Sequence, residues 1–143
     1  MDLKAGTDVK IHLETQVTQY AEPEKHVFDV MGQMVQMGSG LYLRYIEVEG
    51  DVEIPVTIKV EADGTITLIR AGETRTRLRF GKGERYVTNY NTPQGVVALE
   101  TMTNKMQVSL RDQTFSGEIE IHYYLYLGEE KLGEYKLQLL FTA

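Results

Sequence analysis

The chain has 143 residues, 42% hydrophobic and 25% charged, which suits one folded domain with a real core and excludes a disordered segment. It contains no cysteine, so disulfides, thiolate nucleophiles and cysteine metal sites are excluded together. The formal charge of −6 argues against general nucleic-acid binding, and no stretch approaches the ~20 apolar residues of a membrane-spanning helix.

The first residues, Met1 to Gly6, lack the apolar core of a secretory signal, which together with the missing cysteines leads to the expectation of a cytoplasmic protein. From Val9 onward the pattern alternates with period two. Val9, Ile11, Leu13, Thr15 and Val17 face one way, and Lys10, His12, Glu14, Gln16 and Thr18 the other, as in a strand with one dry side. Ala21 to Lys25, with Pro23 inside it, is expected to break that strand.

Between Val27 and Met37 two periodicities compete. Val27, Val30, Met31, Met34 and Val35 fit helical spacing, whereas Gly32 in mid-segment and three β-branched valines favour a bent strand, which is the reading adopted. A Gly38 to Gly40 turn leads into Leu41 to Glu49. Val52 to Glu61 and Thr65 to Arg70 then flank Asp63-Gly64, a tight-turn pair that predicts a hairpin.

Further turns at 71–73, 81–83 and 91–95 separate Thr74 to Phe80, with Leu78 and Phe80 inward, from Glu84 to Tyr90, Val96 to Thr103 and Met106 to Arg111. The longest alternation comes last. Phe115, Ile119, Ile121, Tyr123, Leu125 and Leu127 share a face, with Gly117 as a bend, and Tyr135, Leu137, Leu139 and Phe141 finish the chain. About eight to ten strands at this spacing predict an all-β domain, 1–143, folded as a single antiparallel up-and-down barrel, because closure removes the edges that an open sheet would expose.

Leu41-Tyr42-Leu43-Arg44-Tyr45 with Glu47, Thr67 to Gly72, Tyr90 to Gly95 and Ile121 to Leu125 stand in an order that resembles the YwiB-like family of bacterial domains of unknown function. The resemblance spans nearly the whole chain. It implies a calycin-type, lipocalin-like barrel of about eight main strands with a central cavity, and it brings no catalytic residues. The absence of tryptophan, disulfide and signal peptide sets the chain apart from secreted lipocalins.

Chemistry-bearing residues are sparse. The three histidines, His12, His26 and His122, lack zinc-motif spacing, and Ser39, Ser109 and Ser116 sit in no nucleophile turn. Glu118, Glu120 and His122 share a face, as do Glu47, Glu49, Asp51 and Glu53; both sets read first as solvated strand faces, so no metal and no cofactor is expected. The expectation leans away from an enzyme.

Arginine is the informative residue. Arg70, Arg75, Arg77, Arg79, Lys82 and Arg85 crowd one 16-residue window whose only acids are Glu73 and Glu84. Arg75, Arg77 and Arg79 alternate onto one face, where they pair with neighbouring carboxylates or form a basic stripe. Two functions follow. In the leading one, a small apolar or anionic ligand enters the barrel and meets Tyr42, Arg44, Arg70, Arg79, Tyr86 and Tyr90. In the alternative, Arg75, Arg77, Lys82 and Arg85 contact RNA or an acidic protein, although the net charge disfavours nucleic acid. Period-two parity leaves open whether Tyr42 and Arg44, or instead Leu41, Leu43 and Tyr45, face the interior. Val96 to Leu99, apolar on both faces, leave a homodimer open.

Overall fold

The computed structural model describes residues 6–19, 22–38, 40–72, 75–111 and 116–143. Ten strands are present among them: β1 (Thr7–Gln19), β2 (Glu22–Met37), β3 (Gly40–Glu49), β4 (Val52–Val60), β5 (Ile66–Ala71), β6 (Arg75–Phe80), β7 (Arg85–Thr92), β8 (Gly95–Arg111), β9 (Ser116–Leu127) and β10 (Glu130–Thr142). They form one antiparallel sheet in the order β6-β5-β4-β3-β2-β1-β10-β9-β8-β7. All chain neighbours except β6 and β7 are therefore sheet neighbours, and pairing of β1 with β10, from Lys10↔Thr142 to Thr18↔Glu134, joins the two ends of the meander. The result is a nearly closed up-and-down barrel whose seam lies between β6 and β7.

The alternation in the sequence becomes the wall of the barrel. Val9, Ile11 and Leu13 of β1, Leu43 and Tyr45 of β3, Ile119 and Ile121 of β9, and Leu137, Leu139 and Phe141 of β10 bury themselves in one central cluster. Burial of such side chains, at about 25 cal/mol per Å² of apolar surface, is the main term holding the sheet curled.

Residues 27–37 are strand, as the Gly32 argument favoured. Gly32 belongs there for a specific reason: an added Cβ would lie 2.6 Å from both the Arg44 carbonyl oxygen and Ile11 Cδ1. The β2–β3 ladder runs only from Met37↔Gly40 to Gln33↔Arg44, and Tyr45 packs against the glycine where the ladder ends. Gly117, expected as a bend, likewise makes room, since the Phe141 ring would lie 2.6 Å from its Cβ.

Two strand boundaries differ from expectation. Ala21 and its neighbour Tyr20 lie outside the described residues, but β2 already begins at Glu22, and Pro23 pairs with Thr18. Proline is tolerated because this half of β2 has a ladder with β1 alone. Val96–Thr103 and Met106–Arg111 are one strand, β8, with a register shift between Thr103 and Lys105. The extra residue moves the inward face from odd positions (Thr101, Thr103) to even ones (Met106, Val108), which makes one strand read as two. Phe115 falls outside the described residues.

Replacing Gly32 with alanine should lower the unfolding free energy by about 1–3 kcal/mol, because one of the two clashing atoms is backbone and has little room to move. Urea denaturation of wild type and Gly32→Ala, monitored by far-ultraviolet circular dichroism, measures this; an unchanged midpoint would contradict the packing described.

Candidate functional site

In an up-and-down barrel, odd strands finish and even strands start at the same end. Inward positions at that end are half-buried: Thr15 and Val17 of β1, Phe28 of β2, Ile54 of β4, Arg70 of β5, Leu78 of β6, Leu99 of β8, Leu125 and Leu127 of β9, and Tyr135 of β10. At the opposite end most inward positions are fully covered, including Val9, Leu43, Ile66, Phe80, Ile119 and Phe141. Among the described residues the barrel interior is thus packed below and only partly covered above, in the manner of a cup. At the open end no described ladder joins β2 to β3 beyond Gln33↔Arg44, so the wall is parted there as well.

The floor of the cup is polar. Arg70 Nη2 donates to Glu47 Oε2 at 2.8 Å, and the Tyr45 hydroxyl donates to Glu47 Oε1 at 3.4 Å. Register explains the meeting: Glu47 pairs with Ile54, Tyr45 with Val56, and Val56 with Arg70, so all three polar residues share the inner face on either side of β4. The Glu47 side chain is 9% exposed, whereas that of Arg70 is 37% exposed, so the carboxylate is the buried partner and the guanidinium faces the cup.

Tyr123 stands across the barrel, stacked on Tyr135 with ring centroids 5.0 Å apart and tilted against Phe80 at 4.6 Å. Burial pushes the phenols of Tyr45 and Tyr123 far above their ordinary range; Glu47 pushes the first further up, and the Arg70 charge draws both partway back. Both therefore stay protonated, and the Tyr45 hydroxyl is a hydrogen-bond donor. Thr103, next to Tyr123 in register, keeps its hydroxyl fully buried.

The remaining candidates lie elsewhere. Tyr42 and Arg44, considered as cavity residues, point outward, because Leu43, Tyr45 and Glu47 take the inner face of β3. Arg79 also points outward, since Leu78 and Phe80 occupy the inner face of β6. Tyr86 and Tyr90 do have inward parity on β7, where Tyr86 pairs with Thr101. Tyr86, however, sits at the seam, with the Arg79 guanidinium carbon 4.9 Å from its ring centroid. There Thr101 donates to the Arg79 carbonyl at 2.6 Å, and Gly83 N–H to the Thr103 carbonyl at 2.8 Å. These bonds latch β6 to β8 while β7 laps over the edge.

Arg75 and Arg77 share the outer face of β6, and Lys82 lies in the β6–β7 turn. Arg85 belongs to a different face: it reaches Glu100 at 3.3 Å and lies over the Tyr126 ring at 5.8 Å.

The acidic sets separate. Glu47 is inside, whereas Glu53 is exposed on the outer face of β4, paired to Val48. Glu118, Glu120 and His122 do share the outer face of β9, but their contacts diverge. Glu118 accepts from Gln138 at 3.1 Å, and Glu120 Oε1 meets both His122 Nε2 at 2.8 Å and Lys105 Nζ at 3.2 Å. The Lys105 ammonium, with His122 assisting, holds the Glu120 carboxyl below its usual range. Among the described residues no three histidine, aspartate or glutamate side chains converge as metal ligands. His12 lies between Asp29 Oδ1 at 2.6 Å and Glu14 Oε1 at 3.3 Å, and the hydrogen bond to Asp29 raises its pKa.

The buried Glu47–Arg70 pair was not anticipated. Its signal in the sequence was Glu47 standing two residues after Tyr45 on the Leu43 face, which was read as part of an exposed acidic run.

Comparison with known proteins agrees with this architecture. The family model described as a domain of unknown function, DUF1934, matches residues 11–139. In sequence the chain is similar to the uncharacterized beta-barrel protein YwiB of Bacillus subtilis, 26% identical over 129 residues that cover 90% of this chain and 89% of that protein. The crystal structure of the Bacillus subtilis ywiB protein superposes with a TM-score of 0.81 at 22% identity, covering 96% of this chain and 92% of that one.

Two outcomes are expected. Arg70→Met should destabilise the fold more than Glu47→Gln, by about 3 kcal/mol against about 1, since only the first strands a buried carboxylate. Adding Glu47→Gln to Arg70→Met should recover part of the loss, as urea denaturation of the three variants would show. Separately, the His12 imidazole should titrate above its ordinary value near 6.5, and Asp29→Asn should lower that midpoint. The protonated ring gains the carboxylates only in the folded state, so its contribution to stability is complete below about pH 6.5 and disappears as pH rises through the folded midpoint. Nuclear magnetic resonance of the histidine ring follows both.

Proposed function

This chain belongs to the DUF1934 family, and from that premise together with the cup we propose that it is a non-catalytic binding barrel for a small amphipathic anion. One observation carries the reading: an arginine held by a buried carboxylate presents its partly exposed guanidinium inside a mostly apolar barrel whose described inward side chains are only half-buried at that end.

The chemistry suits an anion with a short apolar body. A guanidinium is a forked donor set that matches carboxylate or phosphate oxygens. Glu47 keeps that fork oriented, and Tyr135 offers a half-buried hydroxyl on the facing wall. Above them Val17, Leu99, Leu125 and Leu127 present half-exposed apolar surface that an aliphatic or aromatic ligand body would cover. Such a mixture, mostly apolar with a few fixed polar groups, is how small-molecule sites are built. The use of a barrel interior would be lipocalin-like in manner.

An acid–base or nucleophilic reading has less support. Tyr45 and Tyr123 are held protonated by burial, and Glu47 is committed to Arg70, so among the described residues neither a ready base nor a nucleophile faces the cup.

Thermal unfolding with octanoate, phenyl phosphate, octanol and octylamine tests the proposal. The two anions should raise the melting temperature, by an amount equivalent to about 2.7 kcal/mol at a hundred times the dissociation constant, while octanol and octylamine should do far less. The increment should disappear in Arg70→Met, measured against that variant's own ligand-free melting temperature. Equal responses to anion and amine, or none to any probe, would overturn the reading.

A further inference from the structure

Five of the chain's fifteen basic residues meet on the outer face of β3–β6, through cross-strand register and not through sequence proximity alone. One row runs Tyr42, Lys59, Thr67, Arg79; the next runs Arg44, Thr57, Ile69, Arg77; Arg75 extends the second along β6. With strands ~4.8 Å apart and alternate residues ~7 Å apart, the two rows cover a patch ~14 Å wide.

The rows contain no carboxylate. At their edge Glu61 reaches Arg79 only at 3.9 Å and Glu84 accepts from the Tyr86 hydroxyl, which leaves that ring's face free of the acid, and Glu53 lies two positions beyond Pro55 toward the open end. The aromatic rings are interleaved with the charges: Lys59 and Arg44 lie 5.2 and 5.9 Å from the Tyr42 ring centroid, and Arg79 lies 4.9 Å from that of Tyr86. Beneath the long stems, Thr67 is 2% exposed and Ile69 is 9% exposed, so the face is a closed, flat platform topped by cationic heads.

We propose that this face binds single-stranded nucleic acid, with Arg44, Lys59, Arg75, Arg77 and Arg79 on the phosphates and Tyr42 and Tyr86 beside the bases. The charge is complementary to a polyanion and unusual on a chain of net charge −6. An acidic protein fits less well. Stable protein interfaces centre on a desolvated apolar patch, and within these two rows the apolar member, Ile69, is already covered. Cationic rows with interleaved aromatic rings are the makeup of single-strand platforms, where backbone charge supplies affinity and ring faces accept any base.

The proposal unites residues that period-two reading had divided between two sites. It also separates them from the cup, because the two rows and the Glu47–Arg70 pair occupy opposite faces of the same strands.

Fluorescence anisotropy with a labelled twelve-nucleotide single-stranded RNA tests it. Binding is expected at about 50 mM salt or below, where screening is weak, with log K falling against log salt at a slope of about −3 for four to five phosphates. Arg44→Ala and Arg77→Ala should each weaken binding by roughly three- to tenfold and flatten that slope by about one unit. The paired reversal Arg44→Glu with Arg77→Glu should abolish binding while circular dichroism stays unchanged. Arg85→Ala, on another face and paired with Glu100, should have no effect. No binding at low salt, or loss only in Arg85→Ala, would overturn the proposal. Equal competition by polyglutamate of matched charge would replace it with a general acidic-partner surface.

Discussion

The constraint that governs this molecule is that every strand must find two hydrogen-bonding neighbours. A ten-stranded meander left open would present two unpaired edges, and pairing β1 with β10 along nine residue pairs removes the outermost flanks of the two half-meanders. Closure then fixes which way side chains point. Once β1 and β10 share a register, Ile11 opposite Phe141 and Leu13 opposite Leu139 must both face inward, and each next strand inherits its parity from its neighbour. The remaining seam, β6 against β7, is handled without a regular ladder. Thr101 bonds the Arg79 carbonyl on the β6 edge, and the turn before β7 bonds Thr103, which ties this corner to β8.

Much of this was legible. Where a strand alternates cleanly and has a strongly apolar face, as in Ile119 to Leu127 or Tyr135 to Phe141, parity and burial agree and the inner face follows at once. Asp63-Gly64 likewise marked its hairpin, and Gly64 adopts the positive φ expected of it. Legibility failed where both faces carry similar chemistry. In β3, Tyr42 and Arg44 alternate with Leu43 and Tyr45, so each parity offers aromatic and polar character, and the deciding contact (Tyr45 over Gly32) lies on another strand. In β8 the register shift after Thr103 broke the period itself, and no local pattern distinguishes a bulge from a short loop. Glu47 was misplaced for the same reason: a carboxylate is tolerated inside only if a cation meets it there, and Arg70 is 23 residues away in sequence.

The alternation that built the core also sorted the charge. Along β5, Ile66 and Leu68 go in and Thr67 and Ile69 go out, which leaves Arg70 as the inward residue at the open end. One residue either way would have put it among Arg75, Arg77 and Arg79. The arginine-rich window therefore serves two faces: a single guanidinium in the cup, tied to a buried acid, and a row of them outside. The energetic circumstances differ. Inside, desolvation makes the ion pair depend on geometry, so its partner and tyrosine donor are fixed. Outside, solvent screens each charge, and only the summed field of several cations is strong enough to matter.

That difference bears on how the two halves of the barrel divide stability and binding. The lower half, where Phe80, Ile66, Ile119 and Phe141 interdigitate, supplies the stability. The upper half is then free to depart from good packing, with half-exposed leucines, a parted wall between β2 and β3, and a charged pair that a purely structural interior would not need. Replacing such a pair by apolar residues commonly leaves stability unchanged or raises it, so an argument from stability alone does not account for Glu47 and Arg70. Orientation of a guanidinium toward the open end does account for them. The floor of the cup is where the packed half of the barrel ends, and among the described residues the one carboxylate that core encloses is the one that aims Arg70.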